Sequence, residues 1–366
     1  MRAVFRVDAS LLIGTGHVMR CLTLADELSD QGAECYFISK SHPGNLIELI
    51  RSRGYFVYAL PECHKGNQDV STLYDTVHPV AHGHWLGGAQ ADDANACLPI
   101  LFNLRPDWLI VDHYSLDFRW ETVVKPYCRR LMVVDDLADR RHECDLLLDQ
   151  TYSRKAEDYR PLVPANCRLL CGSQYALLRP EFAAMRPYSL QRRKEPQLRK
   201  LLITMGGVDK DNVTSEILKA LRSCPLPNDC QITVVMGVIA PWLVEIERLV
   251  REMPWSGQVK VGVRDMAQLM ADSDLAIGAA GATSWERCSL GLPTIMTALA
   301  DNQRSIAQAL SKAGAAQLVG ILELEELPFI IHNIVDPRTY SCMVSAAATV
   351  TDGLGVERVS NLFFED

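Results

Sequence analysis

The chain has 366 residues, 48% of them hydrophobic and 22% charged, and since one core rarely grows past roughly 250–300 residues, two domains are expected. Its net charge is -8, and its densest basic stretch, Arg192-Arg193-Lys194 with Arg199 and Lys200, reads as a solvated linker. Nucleic acid is therefore excluded as a partner, whereas an anionic nucleotide is not, because backbone N–H groups bind anions locally.

The chain opens directly on a candidate strand, Ala3–Val7, with no secretory signal before it. The first half continues with candidate strands Glu34–Ser39, Phe56–Leu60, Trp108–Asp112, Leu131–Asp135 and Leu146–Asp149. Helix-period segments lie between them, as where Val18, Leu22, Ala25 and Leu28 share one face. Such alternation implies βαβ units and a parallel sheet. Residues 179–200 are rich in charge and proline and are expected to form a hinge. A second set follows at Leu201–Met205, Ile232–Met236, Val259–Val263, Leu275–Ile277 and Thr294–Met296. The expected division is a Rossmann-like domain over 1–178, a linker over 179–200 and a second Rossmann-like domain over 201–366. The helix-like stretch Val356–Phe364 is a candidate to return to the first domain. Two doubly wound domains would place a ligand cleft between them, at the carboxyl ends of their strands.

Twelve scattered cysteines, without a leader, read as reduced thiols of a cytoplasmic protein. No apolar run reaches the length of a membrane span. The sequence leaves the oligomeric state open, a monomer included.

The chemistry is expected in loops at strand ends. Asp8 to Gly16 leads from the first strand to His17 at a helix start, with Gly14 and Gly16 allowing a tight turn. It is neither a dinucleotide fingerprint nor a Walker A loop. A helix N-terminus favours the neutral imidazole, the form that accepts a proton, so His17 is the candidate general base. The competing reading is a simple hydrogen-bonding residue. Asp112-His113-Tyr114 ends a strand at the same side and suits sugar recognition or proton transfer. Asp135-Asp136 could equally be a metal site, a cap or a turn.

In the second half, Gly206 and Gly207 can bring backbone N–H groups towards a phosphate, a weak signal alone. Ala279 to Thr283 leave little side-chain bulk before Ser284, Trp285 and Glu286, so a diphosphate can approach the backbone. Glu286 is the candidate ribose contact, against a carboxylate that merely complements the helix dipole. Asp301 competes as a plain N-cap, while Asn302 and Gln303 can hold sugar hydroxyls or N-acyl oxygens. Cys63, His64, His78, His82 and His84 fit no usual zinc spacing and read as an ordinary loop. Trp85-Leu86-Gly87 is unusual for such a loop and reads as a cover over substrate. No metal or cofactor is called for.

Together these motifs resemble the UDP-2,4-diacetamido-2,4,6-trideoxy-β-L-altropyranose hydrolases of pseudaminic acid biosynthesis. The resemblance runs through Arg6-Val7-Asp8-Ala9-Ser10, Ile13-Gly14-Thr15-Gly16-His17, Arg20, His84-Trp85-Leu86-Gly87 and Val111-Asp112-His113-Tyr114. It continues in Val134-Asp135-Asp136, Tyr175 to Arg179, Gly281 to Glu286, Asp301-Asn302-Gln303 and Asp352 to Gly355. The segment from about Cys63 to Trp85 is longer than a compact member needs.

The resemblance implies a GT-B fold of two Rossmann-like domains, shared with MurG-like glycosyltransferases, with UDP held mainly by the C-terminal one. It implies water attack at the anomeric carbon with inversion and C–O cleavage, giving free sugar and UDP. His17, Tyr114 and Asn302 match catalytic positions. The candidate substrate contacts are Arg6, Asp8, Gly14, Gly16, Arg20 and Asp112, then Gly206, Gly207, Ala280, Gly281, Ala282, Thr283, Ser284, Glu286 and Gln303. A GT-B glycosyltransferase, a non-catalytic nucleotide-sugar binding protein and a hydrolysing 2-epimerase remain alternatives.

Overall fold

The computed structural model describes residues 1–61, 80–238 and 240–365. The chain divides into two compact units, Met1–Leu177 with Val356–Asp366, and Leu178–Gly355. Each is built on one parallel sheet.

In the first unit the strands are β1 (Arg2–Val7), β2 (Glu34–Lys40), β3 (Phe56–Leu60), β4 (Trp108–Asp112), β5 (Arg130–Val134), β6 (Leu146–Asp149) and β7 (Arg168–Cys171). Their order across the sheet is β3-β2-β1-β4-β5-β6-β7. β1 is central and buried along Ala3–Val7, as a strand with both faces covered requires. Phe5 and Val7 meet the helix Gly16–Asp30 through Val18, Cys21, Leu22, Ala25 and Leu28. Val4 faces the opposite core, with Ala94, Cys97 and Leu101 of the helix Gln90–Leu104. The helix Gly355–Ser360 and the turn Asn361–Phe363 join the first core, where the Phe363 ring lies 4.6 Å from that of Trp108.

In the second unit the strands are β8 (Lys200–Thr204), β9 (Gln231–Met236), β10 (Ser256–Val261), β11 (Leu275–Ala279), β12 (Thr294–Thr297) and β13 (Gln317–Leu318), in the order β10-β9-β8-β11-β12-β13. Two of these strands were not expected. β7 and β13 are short, and four or two residues carry no readable period. The expected linker over 179–200 also needs correction. Residues Pro180–Arg192 form a helix within the second unit, started by Pro180 in the first turn. Its Phe182 is buried against Met266, Met270 and Leu290.

In both sheets the chain reverses its direction of travel once, between β1 and β4 and between β8 and β11. In open parallel sheets ligands bind outside the carboxyl ends of strands at that point. The loops there hold the motifs singled out from the sequence. Among the described residues no helix is long and apolar enough to cross a membrane.

Candidate active site

At the first switch point, β1 delivers the turn before the helix Gly16–Asp30, and β4 delivers Asp112. Ser10 folds the turn: its Oγ accepts from the N–H groups of Leu12 and Ile13, and Gly14, at φ +81°, donates to the Ser10 carbonyl at 2.9 Å. His17, the second helical residue, then sits with Nδ1 2.6 Å from Asp112 Oδ1. Arg20, one turn on, donates to both oxygens of Asp112 at 2.6 and 2.7 Å and to Asp136 Oδ2. Arg20 Nη2 also lies 3.3 Å from His17 Nδ1. An ionised carboxylate can only accept, so the short contact assigns the Nδ1 proton to the Asp112 bond, and Arg20, which can only donate, makes no hydrogen bond to that nitrogen. In the neutral imidazole this tautomer leaves the lone pair on Nε2, the geometry of a general base oriented by a carboxylate.

Asp112 is held well below the usual carboxylate range despite burial, because Arg20 and then His17 stabilise its charge. The Tyr114 hydroxyl donates to Asp136 Oδ2 at 2.7 Å, and its ring meets His17 edge-on at 4.6 Å. Burial, then the Asp136 charge, pushes the Tyr114 phenol far up, so it stays a donor.

Several expected substrate contacts lie beneath this surface. Arg6 and Asp8 are fully buried and paired at 2.6 Å, and Arg6 also reaches Asp93. Asp8 accepts from the Lys40 backbone N–H at 2.7 Å, and His113 Nε2 lies 3.1 Å away. With both carboxylates and the guanidinium satisfied by each other, neither Arg6 nor Asp8 is available to a ligand. Asp112 is corrected in the same way: Arg20 and His17 occupy its oxygens, so it positions rather than binds. His113 turns away from Tyr114 into the buried layer, where desolvation lowers its pKa. His17 keeps 8% exposure against 1% for Asp112. The imidazole is the reachable member of the pair.

Trp85 and His82 are brought to the site by a short helical turn, Gly83–Leu86, which Lys40 Nζ anchors through the Leu86 carbonyl at 2.9 Å. The Trp85 ring stacks on Tyr114 at 5.6 Å and 23°, and lies 6.3 Å edge-on from His17. The His82 ring is 4.3 Å from Trp85. Trp85, expected to cover substrate, lies beside His17 and Tyr114, and His82, which stood inside a segment read as ordinary loop, lies beside Tyr114 as well. Cys63, His64 and His78 of that reading lie outside the described residues. Asp135 serves a turn, accepting from Leu137 and Ala138 and pairing with Arg140, while its neighbour Asp136 goes to the site.

In the second unit, Gly206 takes φ +90°, and the Gly207 carbonyl packs so tightly on Gly237 that a Cβ there would lie 1.8 Å from it. Gly237 carried no motif and was missed. Asp209 caps the helix Val213–Leu221 through the N–H groups of Val213 and Thr214 at 2.9 and 3.0 Å.

After β11, the Ala280 N–H donates to the Thr297 carbonyl at 2.9 Å and Ala280 is fully buried, so its expected role as a phosphate donor is corrected. The N–H groups of Gly281, Ala282 and Thr283 make no bond among the described residues. Ser284, also expected at the ligand, is buried with its Oγ 3.3 Å from Arg287 Nη2. Glu286 is partly buried, its carboxylate makes no hydrogen bond among the described residues, and desolvation pushes its carboxyl up, against the pull of Arg179 and Arg287. Asp301 is not an N-cap: Ala300 holds that position, and Asp301 pairs with exposed Arg304 at 3.0 Å. Gln303 accepts from the Leu299 N–H at 3.0 Å, which leaves only its amide NH2 for a ligand. Asn302 is partly buried, and its side-chain amide makes no hydrogen bond among the described residues.

The sequence pattern of the glycosyltransferase family 28 C-terminal domain matches residues 201–354. Over nearly its whole length the chain superposes on the MurG structure of Acinetobacter baumannii, with a TM-score of 0.71, 15% identity and 99% of each chain covered. The fold is of the GT-B type. A UDP-2,4-diacetamido-2,4,6-trideoxy-β-L-altropyranose hydrolase of Campylobacter jejuni is 27% identical over 316 residues, 86% of this chain and 97% of that protein. An uncharacterised protein of Methanocaldococcus jannaschii is 26% identical over 301 residues, 81% of this chain but 55% of that longer protein. The chain thus spans about half of that relative's length.

Proposed function

We propose that this chain hydrolyses a UDP-sugar at its anomeric carbon, specifically UDP-2,4-diacetamido-2,4,6-trideoxy-β-L-altropyranose, as a step of pseudaminic acid biosynthesis. The observation that carries the reading is the His17–Asp112 pair with a free Nε2 at the β1/β4 switch point. Water bound at Nε2 loses its proton to His17 as its oxygen bonds to the anomeric carbon. The C–O bond to UDP breaks on the opposite face, so the configuration inverts. Tyr114 and Asn302 are assigned to orient the sugar, and Trp85 to cover it. The N–H groups of Gly281, Ala282 and Thr283 are assigned to the departing diphosphate, the electrostatic task of preorganised donors. Glu286 takes the ribose hydroxyls.

A positioned base is worth about 10²–10⁴-fold in rate. His17→Asn is therefore expected to cut turnover by that order while UDP still binds. Near-normal turnover in that variant removes His17 as the base. Hydrolysis in ¹⁸O-water is expected to label the sugar, whereas label in UDP would mean P–O cleavage.

The family 28 match supports one second reading, a glycosyltransferase in which an acceptor hydroxyl replaces water. Incubation with the UDP-sugar alone separates the two, since a transferase releases little UDP without an acceptor. UDP affinity without turnover of any sugar donor would instead mean a binding protein.

A further inference from the structure

Arg287 is 1% exposed, yet among the described residues no carboxylate lies within ion-pair distance of it, and its chain neighbour Glu286 acts on it only as a longer-range charge. Buried Arg6, Arg20 and Arg140 are each paired with two aspartates. Buried Arg193 instead donates to four backbone carbonyls, three of them near the end of the helix Met266–Asp272. Arg287 has only the Ala279 carbonyl at 2.7 Å and the hydroxyls of Thr283 and Ser284 at 3.2 and 3.3 Å, and its Nε is unbonded. Desolvation lowers its pKa to about 10, still cationic at neutral pH.

A buried charge with no counter-ion in contact is costly, which is why such groups are rare. Here a guanidinium with no ion pair among the described residues is bonded to Ala279 and Thr283, at either end of the loop whose Gly281, Ala282 and Thr283 N–H groups are unbonded among those residues. Gly278 makes the seat: a Cβ there would lie 2.4 Å from Arg287 Nη1. The glycine keeps a cavity in the strand for a guanidinium rather than for packing.

We infer that Arg287 is a positioning residue whose fixed positive charge sets the preference of this loop for a nucleoside diphosphate over an uncharged nucleoside. The inference rests on the proposed UDP site. The ligand supplies anionic charge beyond the longer-range carboxylate of Glu286. Through its bonds to Ala279, Thr283 and Ser284 the guanidinium also fixes the loop without touching the ligand.

The test is calorimetric binding of UDP and of uridine to the full chain, wild type and three variants. Arg287→Met is expected to weaken UDP at least about tenfold, from loss of one nearby charge in a desolvated setting, and to leave uridine within about twofold. Arg287→Lys, which keeps the charge, is expected to retain most of the UDP preference. Gly278→Ala, which displaces the guanidinium without removing it, is expected to reduce that preference and keeps the question answerable where Arg287→Met does not fold. Equal losses for UDP and uridine would make Arg287 a packing residue and overturn the inference, as would unchanged UDP affinity. Failure of the wild type to bind either ligand would instead overturn the site itself, and the inference with it.

Discussion

His17 Nδ1 lies 2.6 Å from Asp112 Oδ1, joining the helix after β1 to the end of β4 across 95 residues of sequence. This bond fixes the tautomer, and Arg20 fixes the carboxylate. Asp112→Asn therefore has two consequences. The imidazole loses the acceptor that holds the Nδ1 proton, and kcat is expected to fall about 10²-fold or more with little change in KM. Arg20 also loses a buried partner, a change that costs about 3–5 kcal/mol in comparable sites. Steady-state kinetics alongside urea unfolding separates the two, and unchanged kcat in a folded variant removes the dyad.

The Tyr159 hydroxyl is 2.7 Å from Asp135 Oδ2 and 2.8 Å from Asp149 Oδ2. One phenolic proton cannot serve two ionised carboxylates, so one of the acids retains its own. Arg140 holds Asp135 low, whereas burial and then the Asp136 charge raise Asp149 to about 6. A raised folded pKa contributes stability that is full below the unfolded value near 4 and lost as pH rises through about 6. The wild type is thus expected to lose roughly 1–3 kcal/mol across that window relative to Asp149→Asn, and nothing further above it. Urea midpoints from pH 4 to 7.5 check the sign. A wild-type stability that rises with pH relative to Asp149→Asn contradicts it.

Two glycines are expected to respond differently to alanine. A Cβ on Gly237 would lie 1.8 Å from the Gly207 carbonyl, so the loops after β8 and β9 must part. Gly237→Ala should lower Tm by several degrees. A Cβ on Gly281 meets nothing nearer than Gln303 Nε2 at 3.8 Å. Gly281→Ala should therefore keep the wild-type Tm and weaken UDP binding, because the methyl group stands where the diphosphate approaches. Unaltered UDP affinity in that variant removes Gly281 from the phosphate site.

The Glu286 carboxylate is desolvated and makes no hydrogen bond among the described residues, and a carboxylate in that state gains most from donors brought by a ligand. Glu286→Ala is expected to weaken UDP by about tenfold, the value of one charge-assisted hydrogen bond. Binding of the 2′,3′-dideoxy analogue should be the same in both proteins. An equal loss for the two ligands would place Glu286 away from the ribose.

The sequence by itself determined the two parallel sheets, because continuous apolar runs alternating with helix-period segments leave no other way to bury both. Eleven of the strands were legible from that alternation, β7 and β13 being too short to show it. It also singled out the loops proposed to act, since the glycine turns follow β1, β8 and β11 directly. Tertiary structure alone decided which polar residues of those loops meet solvent. Arg6 and Asp8 stand in the same motif as His17, yet Asp93 and Lys40, brought from distant elements, enclose them. Ser284 stands two residues from Glu286, yet faces Arg287. Asp112 is a strand-end carboxylate in the sequence and an orienting partner only once Arg20 and His17 converge on it. Burial and pairing depend on neighbours far along the chain, so no local spacing can reveal them.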